Sequence, residues 1–217
     1  MRPAILRHLG RVDPVMRRLI RLHGPCKLVV QGRRSPFHSL VLAIAHQQLH
    51  AAAADKILGR FRKLFPRRSF PRPEDMESVT DLQLRACGFS MAKIQALRDL
   101  ALRTLSGEVP GARAIKKMDD EEIIRRLTAV RGVGRWTAEM LLIFQLGRED
   151  VLPVDDFGVR NGFGQAYQKG RMPRPAELRR HGERWRPHRT TAAWYLWRAA
   201  DGARQKKSQV KKAGKKK

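Results

Sequence analysis

The sequence predicts an all-α protein of roughly ten helices. Apolar residues recur at helical spacing along most of the 217 residues. Helix-start signals, in which a capping side chain precedes a proline, recur as well. No stretch alternates polar and apolar residues for long enough to build a sheet. With 42% hydrophobic residues the chain can bury a substantial core, so we expect one helical domain over residues 1–203.

The elements follow in order from these signals. Asp13-Pro14 and Ser35-Pro36 each open a helix, and Asp119 or Asp120 caps a later one. That later helix ends in a Gly-x-Gly hairpin, followed by a second helix, so that the hairpin motif covers 120–147. The predicted helices lie at about 14–20, 36–65, 81–86, 90–107, 120–130, 135–146, from 156 onward, and 190–201.

Charge favours a polyanionic partner. Lysine and arginine number 46 against 20 acidic residues, giving +26, and residues 204–217 supply only +8 of it. A folded region this basic is typical of proteins that bind nucleic acid, although a generally basic proteome or a ribosome-associated protein is an alternative. The lysine-rich segment 204–217 is predicted to be disordered, either as a solvated extension or as a tether to DNA.

Composition also limits the cellular setting. The sequence contains no apolar run long enough to cross a membrane and no secretory signal, which indicates an intracellular protein. Two isolated cysteines, Cys26 and Cys87, cannot form a four-thiolate cluster, which indicates a reducing compartment. We expect both side chains to be buried in the protein.

Two short motifs suggest chemistry on a nucleic acid. Gly132 and Gly134 can take positive φ and carry no Cβ, so the hairpin backbone can approach another surface. Its N–H groups, at the start of the next helix, would face an anion such as a phosphate. Two carboxylates, Asp155 and Asp156, then follow Pro153 where a new helix would begin.

These motifs resemble the helix–hairpin–helix DNA glycosylase superfamily, and within it the 3-methyladenine DNA glycosylase II branch. The resemblance spans most of residues 1–200 and implies a two-lobed fold; here the chain starts too close to the first family helix to hold the additional β domain of some relatives. The matching segments, in order, are Ala45–His50, Gly88–Lys93, Val130–Phe144, Pro153–Asn161 and Trp185–Trp197.

The resemblance implies that Asp156 is the catalytic carboxylate. We expect it in the first turn of a helix, where the dipole favours a negative charge. A carboxylate there would stabilise the positive charge that develops on the sugar, or activate water, when an N-glycosidic bond breaks. Both aspartates could instead simply cap the helix, and this structural interpretation is kept for Asp155.

Trp136 stands where bifunctional relatives carry a nucleophilic lysine, which implies a monofunctional enzyme that leaves an abasic site. Its spacing with Met140 and Phe144 alone would suit burial in a core, whereas the resemblance implies a ring beside the extruded base. Trp197 matches the position of a second base-facing aromatic residue in relatives.

The remaining implied contacts are with DNA. Gln48, Leu49 and His50 resemble a segment that enters the duplex where the base has left, and Gly132, Val133, Gly134 and Arg135 form the hairpin. Relatives hold a monovalent cation at the hairpin, which would correspond to the backbone carbonyls of Thr128, Val130 and Val133. A metal bound by His46 and His50 is a weaker alternative, because no third ligand stands out.

The implied function is excision of alkylated purines, of the 3-methyladenine and 7-methylguanine type, from double-stranded DNA in base excision repair, without an organic cofactor. The alternatives are a glycosylase for oxidised or deaminated bases and a non-catalytic module that senses damage. The protein is expected to be a monomer with no membrane partner, nucleoid-associated in a bacterial cytoplasm or nuclear in a eukaryote.

Overall fold

The computed structural model describes the backbone of residues 3–32 and 34–214, and side chains as far as residue 204. Over these residues it contains eleven α-helices and no strand, which confirms the all-α prediction. The helices are α1 (Pro3–Val12), α2 (Pro14–His23), α3 (Pro36–His46), α4 (Ala51–Lys63), α5 (Asp81–Cys87), α6 (Met91–Leu105), α7 (Asp120–Thr128), α8 (Arg135–Leu141), α9 (Phe157–Tyr167), α10 (Pro175–Gly182) and α11 (Arg189–Gly214).

The chain divides into two compact units. The terminal unit comprises residues 1–30 and 147–217, and the central unit comprises residues 31–146. The terminal unit therefore holds α1, α2 and α9 to α11, and the central unit holds α3 to α8. The resemblance predicted two lobes, and each of these units has its own buried apolar residues.

The terminal unit is built on close contact between α9 and α11. A Cβ added at Gly162 on α9 would lie 1.8 Å from the carbonyl oxygen of Leu196 on α11, so the two backbones touch. Around this contact Trp185 and Tyr195 are fully buried together with Leu9 of α1. Residues from the two segments of this unit, before and after the central unit in sequence, thus share one core.

A buried carboxylate ties α2 to the later helices of the terminal unit. Asp13 is 1% exposed and caps α2 through the N–H groups of residues 15 and 16. It also accepts hydrogen bonds from Tyr167, His181 and Trp185 at 2.9–3.2 Å. Burial alone would raise the pKa of Asp13, but these donors outweigh it and hold that pKa well below its usual range.

The central unit packs α3 against α4, α6 and α8, and α7 against α8. Phe61 of α4 is fully buried and meets Phe65 and Phe89 edge to face. Leu40 and Ile44 of α3 are also buried. This packing fixes the end of α3 and the start of α8, which carry most of the residues that the sequence predicts to contact DNA.

Most predicted helix boundaries are confirmed. Asp13 and Ser35 cap α2 and α3, each followed by proline at the first helical position. Asp119 caps α7, as expected, and Ser90 caps α6 at the predicted start of that helix. The helices α1 and α10 were not predicted. The stretch expected to be helical from 36 to about 65 is interrupted between His46 and Ala51.

The last helix is longer than the sequence predicted. It continues to Gly214, across most of the segment 204–217 that was expected to be disordered, while residues 215–217 lie outside the described part. Lysine dominates this segment and, like the two glutamines, is a good helix former, so propensity alone can extend the backbone hydrogen bonds. None of the helices in the described ranges is long and apolar enough to span a bilayer.

Candidate functional site

Asp156 caps α9 in the terminal unit. Its backbone is extended (φ −66°, ψ 123°), and one carboxylate oxygen accepts the N–H of Val159 at 2.7 Å. The residue is 9% exposed and lies at the positive end of the helix. The sequence prediction of a first-turn position was wrong by one residue, since Asp156 immediately precedes the first turn.

The neighbouring aspartate has a different environment. Asp155 is exposed in the turn before α9, and the capping role reserved for it was wrong. An N-cap oxygen accepts the N–H of the second or third residue after it, and Asp156 does so with Val159. Capping and a reactive role thus fall on the same side chain.

Trp197 of α11 orients this carboxylate. Its indole Nε1 donates to Oδ1 of Asp156 at 2.8 Å, and the side chain is half-buried. The approach needs a glycine at 158, because a Cβ there would lie 2.8 Å from Cδ1 of Trp197 and 3.2 Å from Oδ1 of Asp156. The sequence predicted Trp197 as a base-facing ring but gave no sign that its polar edge holds Asp156.

The predicted hairpin joins α7 and α8 in the central unit. Gly132 has φ +74°, as its role in a tight turn requires, whereas Gly134 has φ −92° and caps α8. Of the two glycines able to take positive φ, only Gly132 does so. A Cβ at Gly134 would meet no described atom within 4 Å, so the outer side of the hairpin is open.

The four hairpin residues predicted to bind DNA differ in what they expose. The side chain of Val133 is 5% exposed and packs inward, which leaves its backbone as the part able to meet a ligand. Arg135 forms ion pairs with Glu121 at 2.6 Å and with the buried Glu139 at 3.1 Å. The charge of Arg135 is therefore largely balanced within the protein.

A cavity of about 740 Å³ opens in the central unit beside the hairpin. Trp136 and Phe144 line it with exposures of 49% and 37%, although their spacing alone suggested burial in a core. The helix that carries them continues from α8 into a wider π-helical turn, Leu142–Leu146. Other lining residues are Leu40, Ala43, His46, Gln47, Gln48, Gly132 and Met140.

The predicted insertion segment is an exposed loop between α3 and α4. Gln48, Leu49 and His50 are all exposed, Leu49 by 40%. Gln48 has φ +56°, a left-handed conformation that few side chains adopt, and strain of this kind is concentrated at functional sites. The loop ends where His50 precedes the first turn of α4.

The alternative of a metal bound by two histidines finds little support. His46 ends α3 and His50 precedes α4, so the pair does not share the face of one helix. Within the described ranges no three side chains of His, Cys, Asp or Glu cluster as a metal site would need. Cys26 and Cys87 are buried, as expected, and burial raises the pKa of both thiols.

Two residues were missed at the sequence level. Phe157, directly after Asp156, is 59% exposed at the start of α9, so its ring is available to a ligand beside Asp156. Gln47 donates through its amide to the carbonyl oxygen of Gly132 at 2.8 Å and so ties the end of α3 to the hairpin. The Asp-Asp-Phe motif could have drawn attention to Phe157, but only the fold brings Gln47 to Gly132.

Comparison with known proteins gives one consistent family. The family described as HhH-GPD superfamily base excision DNA repair protein matches residues 41–187. The chain is 40% identical over 196 residues to DNA-3-methyladenine glycosylase 1 of Schizosaccharomyces pombe, covering 89% of this chain and 85% of that relative.

Solved structures agree with this match. A Schizosaccharomyces pombe 3-methyladenine DNA glycosylase in complex with abasic DNA has a TM-score of 0.79 at 39% identity, covering 89% of this chain and 95% of that one. A DNA-3-methyladenine glycosidase from Bacillus halodurans has a TM-score of 0.84 at 35% identity, covering 92% and 89%. The chain therefore belongs to the HhH-GPD superfamily of base excision DNA repair proteins.

Proposed function

We propose that this protein is a monofunctional DNA glycosylase that removes alkylated purines, of the 3-methyladenine and 7-methylguanine type, from duplex DNA and leaves an abasic site. The observation that carries the proposal is the Asp156 carboxylate, which is held at the positive end of α9 by Val159 and Trp197. Relatives that cover most of the chain are named 3-methyladenine glycosylases, which supports the choice of substrate.

The proposed reaction needs one carboxylate. When the N-glycosidic bond breaks, its electron pair leaves with the base and positive charge develops on the sugar. The Asp156 anion stabilises that charge or takes a proton from the water that adds to the anomeric carbon. An alkylated base is already cationic and leaves as a neutral molecule, so a second carboxylic acid to protonate it is less necessary.

Base recognition is assigned to the aromatic cavity of the central unit. Trp136 and Phe144 offer exposed rings, and a cationic base stacked on such a ring gains about 0.5–2 kcal/mol. Trp136 has no amine that could attack the sugar, and the resemblance places a lysine there in enzymes that cut the strand. The proposed product is therefore an intact strand with an abasic site.

DNA contacts are assigned to the loop and the hairpin. The exposed Gln48, Leu49 and His50 would enter the space left by the extruded base, and the hairpin backbone would meet a phosphate. A monovalent cation held by backbone carbonyls of Thr128, Val130 and Val133 is compatible with the structure. The Val130 carbonyl accepts the N–H of Val133 at 3.0 Å and, having two lone pairs, keeps one for a cation.

The setting follows from the substrate. We propose that the protein acts as a monomer on double-stranded genomic DNA, nucleoid-associated in a bacterial cell or nuclear in a eukaryote, with no organic cofactor and no membrane partner. Its strong positive charge supports binding to the sugar–phosphate backbone, with an affinity that falls as salt is raised.

The test is release of free base from duplexes that each carry one defined lesion. We expect release of alkylated purines by the wild type and a loss of at least about 100-fold for Asp156→Asn, because removing the charge removes its stabilisation of the transition state. Asparagine still caps a helix, so the variant should fold and bind DNA.

The matched control is Asp155→Asn, which changes the adjacent, exposed carboxylate and should retain activity. Release of oxidised or deaminated bases alone would replace the proposed substrate class. Binding of damaged duplex by the wild type without release of any base would identify a sensing module instead.

A further inference from the structure

The first turn of α6 places an ammonium group against the end of α3. Nζ of Lys93 donates to the carbonyl oxygens of Ala45 and Gln47, both at 2.8 Å. Carbonyls at the C-terminal end of a helix lack partners within the helix and carry its negative dipole, so a cation is favoured there. Burial lowers the pKa of Lys93, a sign that its amine is drawn away from solvent.

Gln47 links this contact to the hairpin. Its carbonyl receives Lys93, while its side-chain amide donates to the Gly132 carbonyl at 2.8 Å. The next residue along the chain is Gln48, whose φ of +56° turns the loop out of the helix. A left-handed backbone is unfavourable for a residue other than glycine unless its surroundings fix it. The hydrogen bonds of the Gln47 carbonyl with Lys93 and of the Gln47 amide with Gly132 hold the backbone next to Gln48 in place.

We propose that Lys93 is a positioning residue: acting through Gln47, it holds the Gln48–His50 loop in its protruding conformation and in register with the hairpin. This inference rests on the proposed function, in which the loop enters the duplex and the hairpin holds the strand. The loop and the hairpin then act as one preorganised unit, so the loop does not have to be ordered when the base leaves the stack.

The test separates loop insertion from chemistry and from stability. Lys93→Met keeps the apolar stem and removes the donors, and the control Lys63→Met removes an equal charge from an exposed position on α4. Each variant is assayed for single-turnover base release on two duplexes. One carries the alkylated base paired, and the other carries it as an unpaired bulge whose extrusion needs less support.

For Lys93→Met we expect release from the paired duplex to fall about tenfold, the equivalent of about 1.4 kcal/mol, and release from the bulge to change by less than about twofold. Lys63→Met should match the wild type on both. Lys93→Cys treated with 2-bromoethylamine regains an amine at nearly the original place and should recover, since the two native cysteines are buried. Equal losses on both duplexes, or none on the paired one, would overturn the proposal.

A second readout does not depend on base release. A duplex with 2-aminopurine beside an abasic analogue reports loop insertion as a change in fluorescence, which Lys93→Met should at least halve. If the wild type gives this signal but releases no base, the proposed function fails while the positioning role stands. If Lys93→Met fails to fold, Gln47→Ala breaks the tie to Gly132 and should give the same split; an unchanged signal would refute the role.

Discussion

Replacing Trp197 by phenylalanine removes one hydrogen bond from the Asp156 carboxylate and leaves an aromatic ring in place. The indole N–H lies 2.8 Å from Oδ1, and Asp156 is 9% exposed, so water replaces the lost donor poorly. A hydrogen bond to a charged group contributes about 1.5–3 kcal/mol. Because the Val159 N–H still donates to the same oxygen, we expect the lower end of this range to be lost.

That loss corresponds to a decrease in the base-release rate of about tenfold under single-turnover conditions. The affinity for undamaged DNA should not change, because it depends on phosphate contacts rather than on Asp156. The control is Trp194→Phe, which removes a buried indole from the same helix, where it packs edge to face on Tyr195. Trp194→Phe should lower stability and leave the rate per folded molecule unchanged.

The reasoning would be refuted if Trp197→Phe released base as fast as the wild type. It would also fail if the two tryptophan variants lost activity and melting temperature in equal proportion, since Trp197 would then act through packing alone. Gly158→Ala offers an independent check, because its Cβ would lie 2.8 Å from the indole and should displace the same donor.

The remaining predictions concern stability. Gly162→Ala would place a Cβ 1.8 Å from the Leu196 carbonyl oxygen and should cost at least about 2 kcal/mol, lowering the melting temperature by about 2–4 °C per kcal/mol. Gly59→Ala, whose Cβ meets no described atom within 4 Å on α4, should match or exceed the wild type, and a reversed order would contradict the close contact of α9 with α11. Because the pKa of Asp13 is lowered by folding, its contribution is present above the unfolded-state pKa of about 3.9 and is lost as the pH falls through the folded value. Urea unfolding measured from pH 2 to 7 should show that Asp13→Asn is less stable than the wild type at neutral pH. The free energy of unfolding of the variant should also fall less steeply below about pH 4, and identical slopes for the two proteins would exclude this role.

The sequence was sufficient for most helix starts, because capping is local. Asp13 and Ser35 each stand directly before the proline that opens a helix, and both cap as expected. What Asp13 does beyond capping depends on Tyr167 and Trp185, more than 150 residues away. No periodicity or spacing could have indicated those partners.

The candidate site was predictable by residue type but not by orientation. Trp136 fits an apolar stripe, and the pattern alone could not say whether that stripe faces a core or a cavity. Asp156 was selected by resemblance, whereas its bond to Trp197 needs α9 and α11 to touch. Lys93 belonged to a matching segment, but its role becomes visible once α6 lies against the end of α3.

The π-helical turn at Leu142–Leu146 has a geometric consequence for the cavity wall. On a straight α-helix of 3.6 residues per turn, Phe144 would point about 80° away from Trp136, eight positions earlier. A wider turn rotates less per residue and so reduces the angle between the two side chains. The relative direction of the two rings on the cavity wall therefore depends on how many residues this turn contains, and not solely on which ones.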